Sequence, residues 1–150
     1  MKLPMNVNLQ DKVVVITGAA GVICSHLAKA IAQSGAKVAI LDRDLVKAQE
    51  VAAEIRSEGY LAEGFEANVL VKDSLETCHQ QVLEKFGPCD ILINGAGGNN
   101  PKATTDNEYA ELGDELKGIK TFFDLDEAGI SFVFNLNFLH SWLWCSICEH

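Results

Sequence analysis

Basic side chains are scarce in this chain of 150 residues. Lys and Arg number 12 against 21 Asp and Glu, for a formal net charge of −9. Nucleic acid is therefore a poor fit as a partner, because gripping phosphates takes a basic face. Charge is moderate overall, at 22% of residues, while apolar residues reach 48%. That balance excludes a disordered chain, and the length suffices for one domain with its own core. The opening "MKLPMNVNLQDK" lacks the apolar stretch of a secretory leader. Cysteines come as an odd set: Cys24, Cys78, Cys89, Cys145 and Cys148. Free thiols and a reducing, cytoplasmic setting are the expectation.

What is present is an alternation of apolar runs and amphipathic stretches. A buried β-branched strand over 12–17 leads into a helix over 21–34, with Val22, Ile23, Leu27, Ala30 and Ile31 at helical spacing. Ser34-Gly35 ends that helix. "AKVAILD" is a second buried strand ending at Asp42. Leu45, Ala48, Val51, Ala52 and Ile55 mark the next helix, which Gly59 stops. "YLAEGFEANV" reads as a weaker third strand. A helix over Lys72 to Phe86 follows, with Leu75, Val82 and Leu83 facing inward, and Gly87-Pro88 closes it. "CDILING" is a fourth strand. Continuous apolar strands alternating with helices predict an α/β fold with a doubly wound, Rossmann-type parallel sheet. Four parallel strands plus a C-terminal helix are expected.

"VVVITGAAGVICSH" holds the first chemistry. A strand that stops at a tight turn and feeds a helix aims backbone N–H groups at one point. With the helix dipole, those donors favour an anion such as a diphosphate. Gly18 and Gly21 supply tight bends, whereas Val22 and Cys24 stand where more glycine would help. Cys24 would crowd the packing of helix on strand. Such a partial pattern suits a phosphate seat and also an ordinary strand-to-helix connection.

Asp42, at the end of the second strand, lies beside the first turn in a doubly wound sheet. A carboxylate there can accept hydrogen bonds from a ribose diol and would repel a 2′-phosphate. Asp44 is the better-placed helix cap, which leaves Asp42 for the ribose. The neighbouring Arg43 could tolerate a phosphate. At the end of the fourth strand, the small residues of "NGAGG", Asn94 to Gly98, leave room for a flat ligand. Asn94 is expected to tie neighbouring strand ends together.

Thr17-Gly18 with Gly21, then Asp42, then Asn94-Gly95-Ala96-Gly97 together resemble the short-chain dehydrogenase/reductase family over roughly residues 10–140. The family's first turn reads Thr-Gly-x-x-x-Gly-x-Gly, so Val22 and Cys24 occupy two of its glycines. Its fourth-strand motif reads Asn-Asn-Ala-Gly, so Gly95 replaces the second Asn. Its Asp-Val after the third strand is Asn68-Val69 here. More narrowly, "LINGAGGNNPKATT" and "TFFDLDEAGISFVFNLNFL" resemble the sugar-acid branch typified by D-mannonate oxidoreductase, or fructuronate reductase.

The resemblance implies NAD as cofactor. Its binding residues would be Thr17, Gly18, Ala20, Gly21, Val22 and Ile23 on the first turn, Asp42 and Arg43 after the second strand, Asn68 and Val69 after the third, and Asn94, Gly95, Ala96 and Gly97 after the fourth. It also implies hydride transfer between nicotinamide and a fructuronate- or mannonate-like sugar acid. Four residue types cooperate in the family: Asn, Ser, Tyr and Lys. Asn137 matches the catalytic Asn, and His140 stands in place of the glycine three residues on. The Ser and the Tyr-x-x-x-Lys have no counterpart before His150. Tyr60 is followed four residues later by Gly64, and Tyr109 by Gly113. The expectation is one dinucleotide-binding domain over 1–150 with activity close to nil: a core over 1–94, a long loop over 95–128 with a helical turn near Tyr109 to Leu116, and an apolar helix or tail over 129–150. A non-catalytic NAD-binding module is the alternative. A doubly wound domain for another phosphate ligand ranks third.

"HSWLWCSICEH" reads as a foreign tail, as a frameshift or premature stop would give. No residue between Glu127 and Glu149 is charged, a length that could span a bilayer. Asn135, Asn137 and His140 in its middle favour a helix buried against the sheet instead. His140, Cys145, Cys148 and His150 are zinc-ligand types, but their spacing suits neither finger nor ribbon, and no metal is expected. Cys24 reads as a packed core thiol rather than a reactive one. The edge strand "CDILI" and the exposed face of the last helix, with Phe132, Phe134, Phe138, Trp142 and Trp144, predict a homo-oligomer or aggregation.

Overall fold

The structure, a computed structural model, describes residues 7–148. Two compact units divide the chain. The first runs to Ala96 and takes up again at Ser141; the second is Gly97–His140.

The first unit alternates β1 (Val13–Thr17), α1 (Val22–Gln33), β2 (Lys37–Asp42), α2 (Leu45–Ser57), β3 (Leu61–Glu66), α3 (Lys72–Phe86) and β4 (Ile91–Asn94). Every strand pairing is parallel, and the order is β3-β2-β1-β4. The chain steps outward from β1 through β2 to β3, then returns past β1 to β4. Right-handed crossovers therefore put α1 and α2 on one face and α3 on the other. This is the doubly wound Rossmann-type sheet that the alternation of apolar runs predicts. The order reverses between β1 and β4, so the carboxyl ends of those strands flank a crevice of the kind in which such sheets bind ligands.

Every residue of β1 is buried. Val14, Ile16, Val38 and Ile40 join Ala28, Ala32, Ala48, Ala52 and Ile55 in one core. The alternate strand residues Val13, Val15, Ala39 and Leu41 are buried on the opposite face, which α3 covers with Leu75, Cys78 and Val82. Each fully buried Val, Leu or Ile contributes about 1.5–3 kcal/mol. The alanines let α1 and α2 lie close to the sheet. At Gly64 the approach is closest: a Cβ there would stand 2.6 Å from backbone atoms of Ala48 and Gln49.

Helical spacing misplaces four apolar residues. Val22 and Ile23 are 80% and 81% exposed, because the first turn of α1 stands at the carboxyl edge of the sheet with no strand beneath it. Leu27 and Leu83 are also exposed. The stripes that meet the sheet are Ala28–Ala32 on α1 and Leu75–Cys78–Val82 on α3. Trp144, expected on an open face, is 0% exposed and meets the His79 ring of α3 edge-on at 6.5 Å.

The second unit begins with a 3-10 turn at Pro101–Ala103, capped by the Asn100 carboxamide, which accepts the Lys102 N–H at 2.9 Å. Residues 106–120 form a loop whose ends meet. The Asp106 N–H donates to the Lys120 carbonyl at 3.0 Å, and the Lys120 N–H donates to Asp106 Oδ2 at 2.7 Å. Buried Asp114 organises its interior by accepting the Glu111 N–H at 3.0 Å. That bond, with help from the Lys117 ammonium, holds the Asp114 carboxyl below its ordinary pKa. The helical turn expected over Tyr109 to Leu116 is a 3-10 turn at Asp114–Lys117 instead.

Helix α4 (Glu127–Phe134), capped by Asp126, follows, and a π-helical stretch, Asn135–Leu139, leads to α5 (His140–Cys148). The apolar tail is thus divided into helices of 8 and 9 residues around the π turn. No helix among the described residues is long and apolar enough to cross a membrane.

Candidate nucleotide-binding site

Thr17 ends β1 fully buried, yet its hydroxyl is in use. Oγ1 accepts the N–H of Gly95 and of Ala96, each at 3.1 Å. This pair of bonds fastens the loop after β4 to the end of β1. Asn94, from which the sequence suggests a tie between neighbouring strand ends, is the register partner of Thr17 in the β1–β4 pairing, and its Nδ2 points to the Cys145 Sγ of α5 at 3.9 Å.

Gly18 then turns the chain with φ +62, a left-handed conformation that favours glycine. A Cβ at Gly18 would also lie 2.8 Å from the Ala96 Cα. The next amides are engaged in shaping the turn. Ala19 donates to the Leu41 carbonyl, Gly21 to the Gly18 carbonyl at 3.1 Å, and Ala20 to Asp42 Oδ2 at 3.2 Å. Gly21 is the N-cap of α1 and offers no side-chain cap. The open donors are therefore the amides of the first helical turn, beginning at Val22 and Ile23, which have no acceptor within the helix. The Val22 and Ile23 side chains point into solvent and do not plug the space above Gly18.

Asp42 faces this turn. Its second oxygen, Oδ1, accepts the Asp44 N–H at 3.1 Å. Asp44 caps α2 by accepting the Lys47 N–H at 3.2 Å, and that bond with the Lys47 ammonium lowers its pKa. The carboxylate of Asp42 is thus spared the cap and left at the turn. Arg43 beside it is exposed. Asn68 Oδ1 accepts the Leu70 N–H at 3.1 Å, which binds the side chain into the turn after β3, and Val69 is buried.

Cys24 and Gly95 explain each other. A Cβ built on Gly95 would fall on the Cys24 Sγ and 2.7 Å from the Thr17 carbonyl oxygen. The thiol occupies the volume that a side chain at position 95 would need. Cys24 is half-buried, a packed thiol at the helix–loop contact.

Asn137 sits in the π-helical stretch of the second unit. Its Oδ1 accepts the Gly98 N–H at 3.0 Å, while its Nδ2 donates to the Gly98 carbonyl and to the Val133 carbonyl, both at 2.8 Å. A Cβ at Gly97 would come 2.6 Å from Asn137 Oδ1, so any side chain there would displace the Asn137 carboxamide. By taking the Val133 carbonyl, four residues back, the Asn137 side chain joins the helical ladder at the π-helical stretch. His140 follows, 2% exposed, with neither ring nitrogen hydrogen-bonded among the described residues. Burial lowers its pKa. Among the described residues, no three His, Cys, Asp or Glu side chains gather as a metal site, and His150 lies outside them.

The family model for short chain dehydrogenases matches residues 12–140. The chain belongs to the short-chain dehydrogenase family. An uncharacterized oxidoreductase of Haemophilus influenzae is 50% identical over 143 residues, which cover 95% of this chain and 50% of that protein. The uncharacterized oxidoreductase UxuB of Bacillus subtilis is 46% identical over 142 residues, covering 94% and 50%. A crystal structure of a proposed D-mannonate oxidoreductase from Haemophilus influenzae, solved with bound NAD, superposes with a TM-score of 0.89 at 49% identity, over 96% of this chain and 51% of that one. A hydroxysteroid dehydrogenase of Escherichia coli, at 23% identity and a TM-score of 0.71 over 95% of this chain and 53% of that one, shares the fold. The chain spans about half the length of the relatives it matches.

Three of the departures from the short-chain dehydrogenase pattern replace a glycine, and the structure locates each. Val22 replaces a glycine where its side chain is free to face solvent. Cys24 replaces one where it must share space with position 95. His140 replaces one where the imidazole is buried without a hydrogen-bond partner among the described residues.

Proposed function

We propose that this chain is the NAD(H)-binding portion of a short-chain oxidoreductase that moves a hydride between nicotinamide and a sugar-acid ketone or alcohol of the fructuronate/mannonate kind. The observation that carries the reading is the Asp42 carboxylate set against the Ala20 amide, beside the uncapped start of α1. A diphosphate would rest on the first-turn amides of α1. Asp42 would accept from the adenosine ribose and repel a 2′-phosphate, so NADH is favoured over NADPH. The exposed Val22 and Ile23 would gain apolar cover from the ligand. Support also comes from the 49%-identical structure solved with NAD.

The same reading assigns no turnover to these 150 residues alone. Neither Tyr60 nor Tyr109 has a Lys four residues on, so neither forms the family's acid/base pair. This motif argument keeps a non-catalytic NAD-binding module as the second reading. Calorimetric titration with NADH and NADPH tests the cofactor: saturable NADH binding with weaker NADPH binding is expected, and failure to bind NADH overturns the proposal. NADH oxidation with fructuronate tests the chemistry, with no turnover expected. Turnover at ordinary enzyme rates of about 1–1000 per second would overturn the assignment of inactivity.

A further inference from the structure

We infer that Cys24 and Gly95 act as one steric unit that sets the gap between α1 and the loop after β4, and so positions the cofactor seat. The inference rests on the NAD(H)-binding reading and goes a step into its machinery.

The start of α1 and the loop after β4 face each other across the crevice where the strand order reverses. In the family pattern a glycine at position 24 lets helix and strand approach closely. Here a thiol stands there. A helix pushed outward by that thiol would carry its first-turn amides with it. The loop yields instead: position 95, an Asn in the family motif, is Gly, and the thiol fills the vacated volume. The Thr17 hydroxyl then holds Gly95 and Ala96 at 3.1 Å, so the loop cannot drift. Two departures from the pattern, 71 residues apart in sequence, meet at one contact. Cys24 is a positioning residue here, acting through α1.

A double-mutant cycle on the 150-residue chain tests this, read by NADH titration and by thermal unfolding. Gly95→Ala should weaken NADH binding on the order of tenfold, the effect of overpacking a tight contact. Adding Cys24→Gly should recover part of that loss, leaving a residue due to the Thr17 carbonyl. Cys24→Val narrows the gap from the helix side. It should weaken NADH in the same direction, which keeps the test alive if Gly95→Ala fails to fold. Recovery in thermal midpoint without recovery in NADH affinity overturns the positioning role. Additive effects in both readouts overturn the pairing itself, while the parent still binds NADH. A parent chain that does not bind NADH sinks the functional reading, and the positioning role falls with it.

Discussion

The Asp42 carboxylate reaches across from β2 to accept the Ala20 N–H at 3.2 Å, in the turn that follows β1. One acidic side chain thereby shapes the turn and presents charge at its rim. Asp42→Ala should raise the NADH dissociation constant by about ten- to a hundredfold, since a hydrogen bond to a charged group contributes roughly 1.5–3 kcal/mol. The preference for NADH over NADPH should fall at the same time. Parallel titrations with the two nucleotides check both.

Thr17→Val keeps the shape and removes the acceptor that two amides share. Leaving the Gly95 and Ala96 N–H groups unmet should lower stability by about 1–3 kcal/mol. Urea unfolding, followed by circular dichroism, gives the measurement. An unchanged midpoint would mean that the loop after β4 is held by other contacts.

Gly64→Ala places a methyl group against the backbone of α2. Its cost should be about 1–3 kcal/mol, seen as a lower thermal midpoint. Gly59→Ala, where a Cβ would meet nothing within 4 Å but φ is +91, separates backbone strain from overpacking.

His140 should make the chain acid-sensitive above the carboxylate range. Burial lowers its pKa from the ordinary 6.5, so the unfolded chain binds the proton more readily than the folded one. Its cost to folding is therefore smallest above pH 6.5 and grows as the pH falls below that value. Asp44, Asp90 and Asp124, whose pKa values are lowered from 3.8 by hydrogen bonds, act in a more acidic window, losing their stabilisation only as they protonate. Thermal midpoints between pH 7.5 and about 5.5 should decline in the parent and flatten in His140→Leu. A parallel decline in both would place the sensitivity elsewhere.

Among the described residues β4 pairs on one side only, with β1, and Ile91 on it is exposed. Self-association that grows with concentration is expected. Ile91→Lys, a charge on an edge strand, should reduce it in analytical ultracentrifugation.

Strands, helices and the parallel sheet were legible because apolar β-branched runs such as Val13–Ile16 have few alternatives when helices lie between them. The exposure of Val22 and Ile23 was not. Periodicity identifies a face, but it does not reveal that a helix begins beyond the sheet it covers. Trp144 escaped for another reason: a tail apolar all round has no period to say which residue turns inward. The contact between Cys24 and Gly95 was visible only as two separate departures from a pattern. Distance along the chain hid that one makes room for the other. The role of Thr17 was hidden by its hydroxyl, which bonds to residues 78 and 79 positions away.

The two bonds that join Asp106 and Lys120 give the segment between them the character of a cassette. Its ends are already neighbours, so the chain length spent there is independent of the scaffold that carries it. Swapping those intervening residues for a short Gly-Ser bridge, or for a foreign sequence of similar span, is an insertion-tolerant edit that should leave the parallel sheet and its crevice intact.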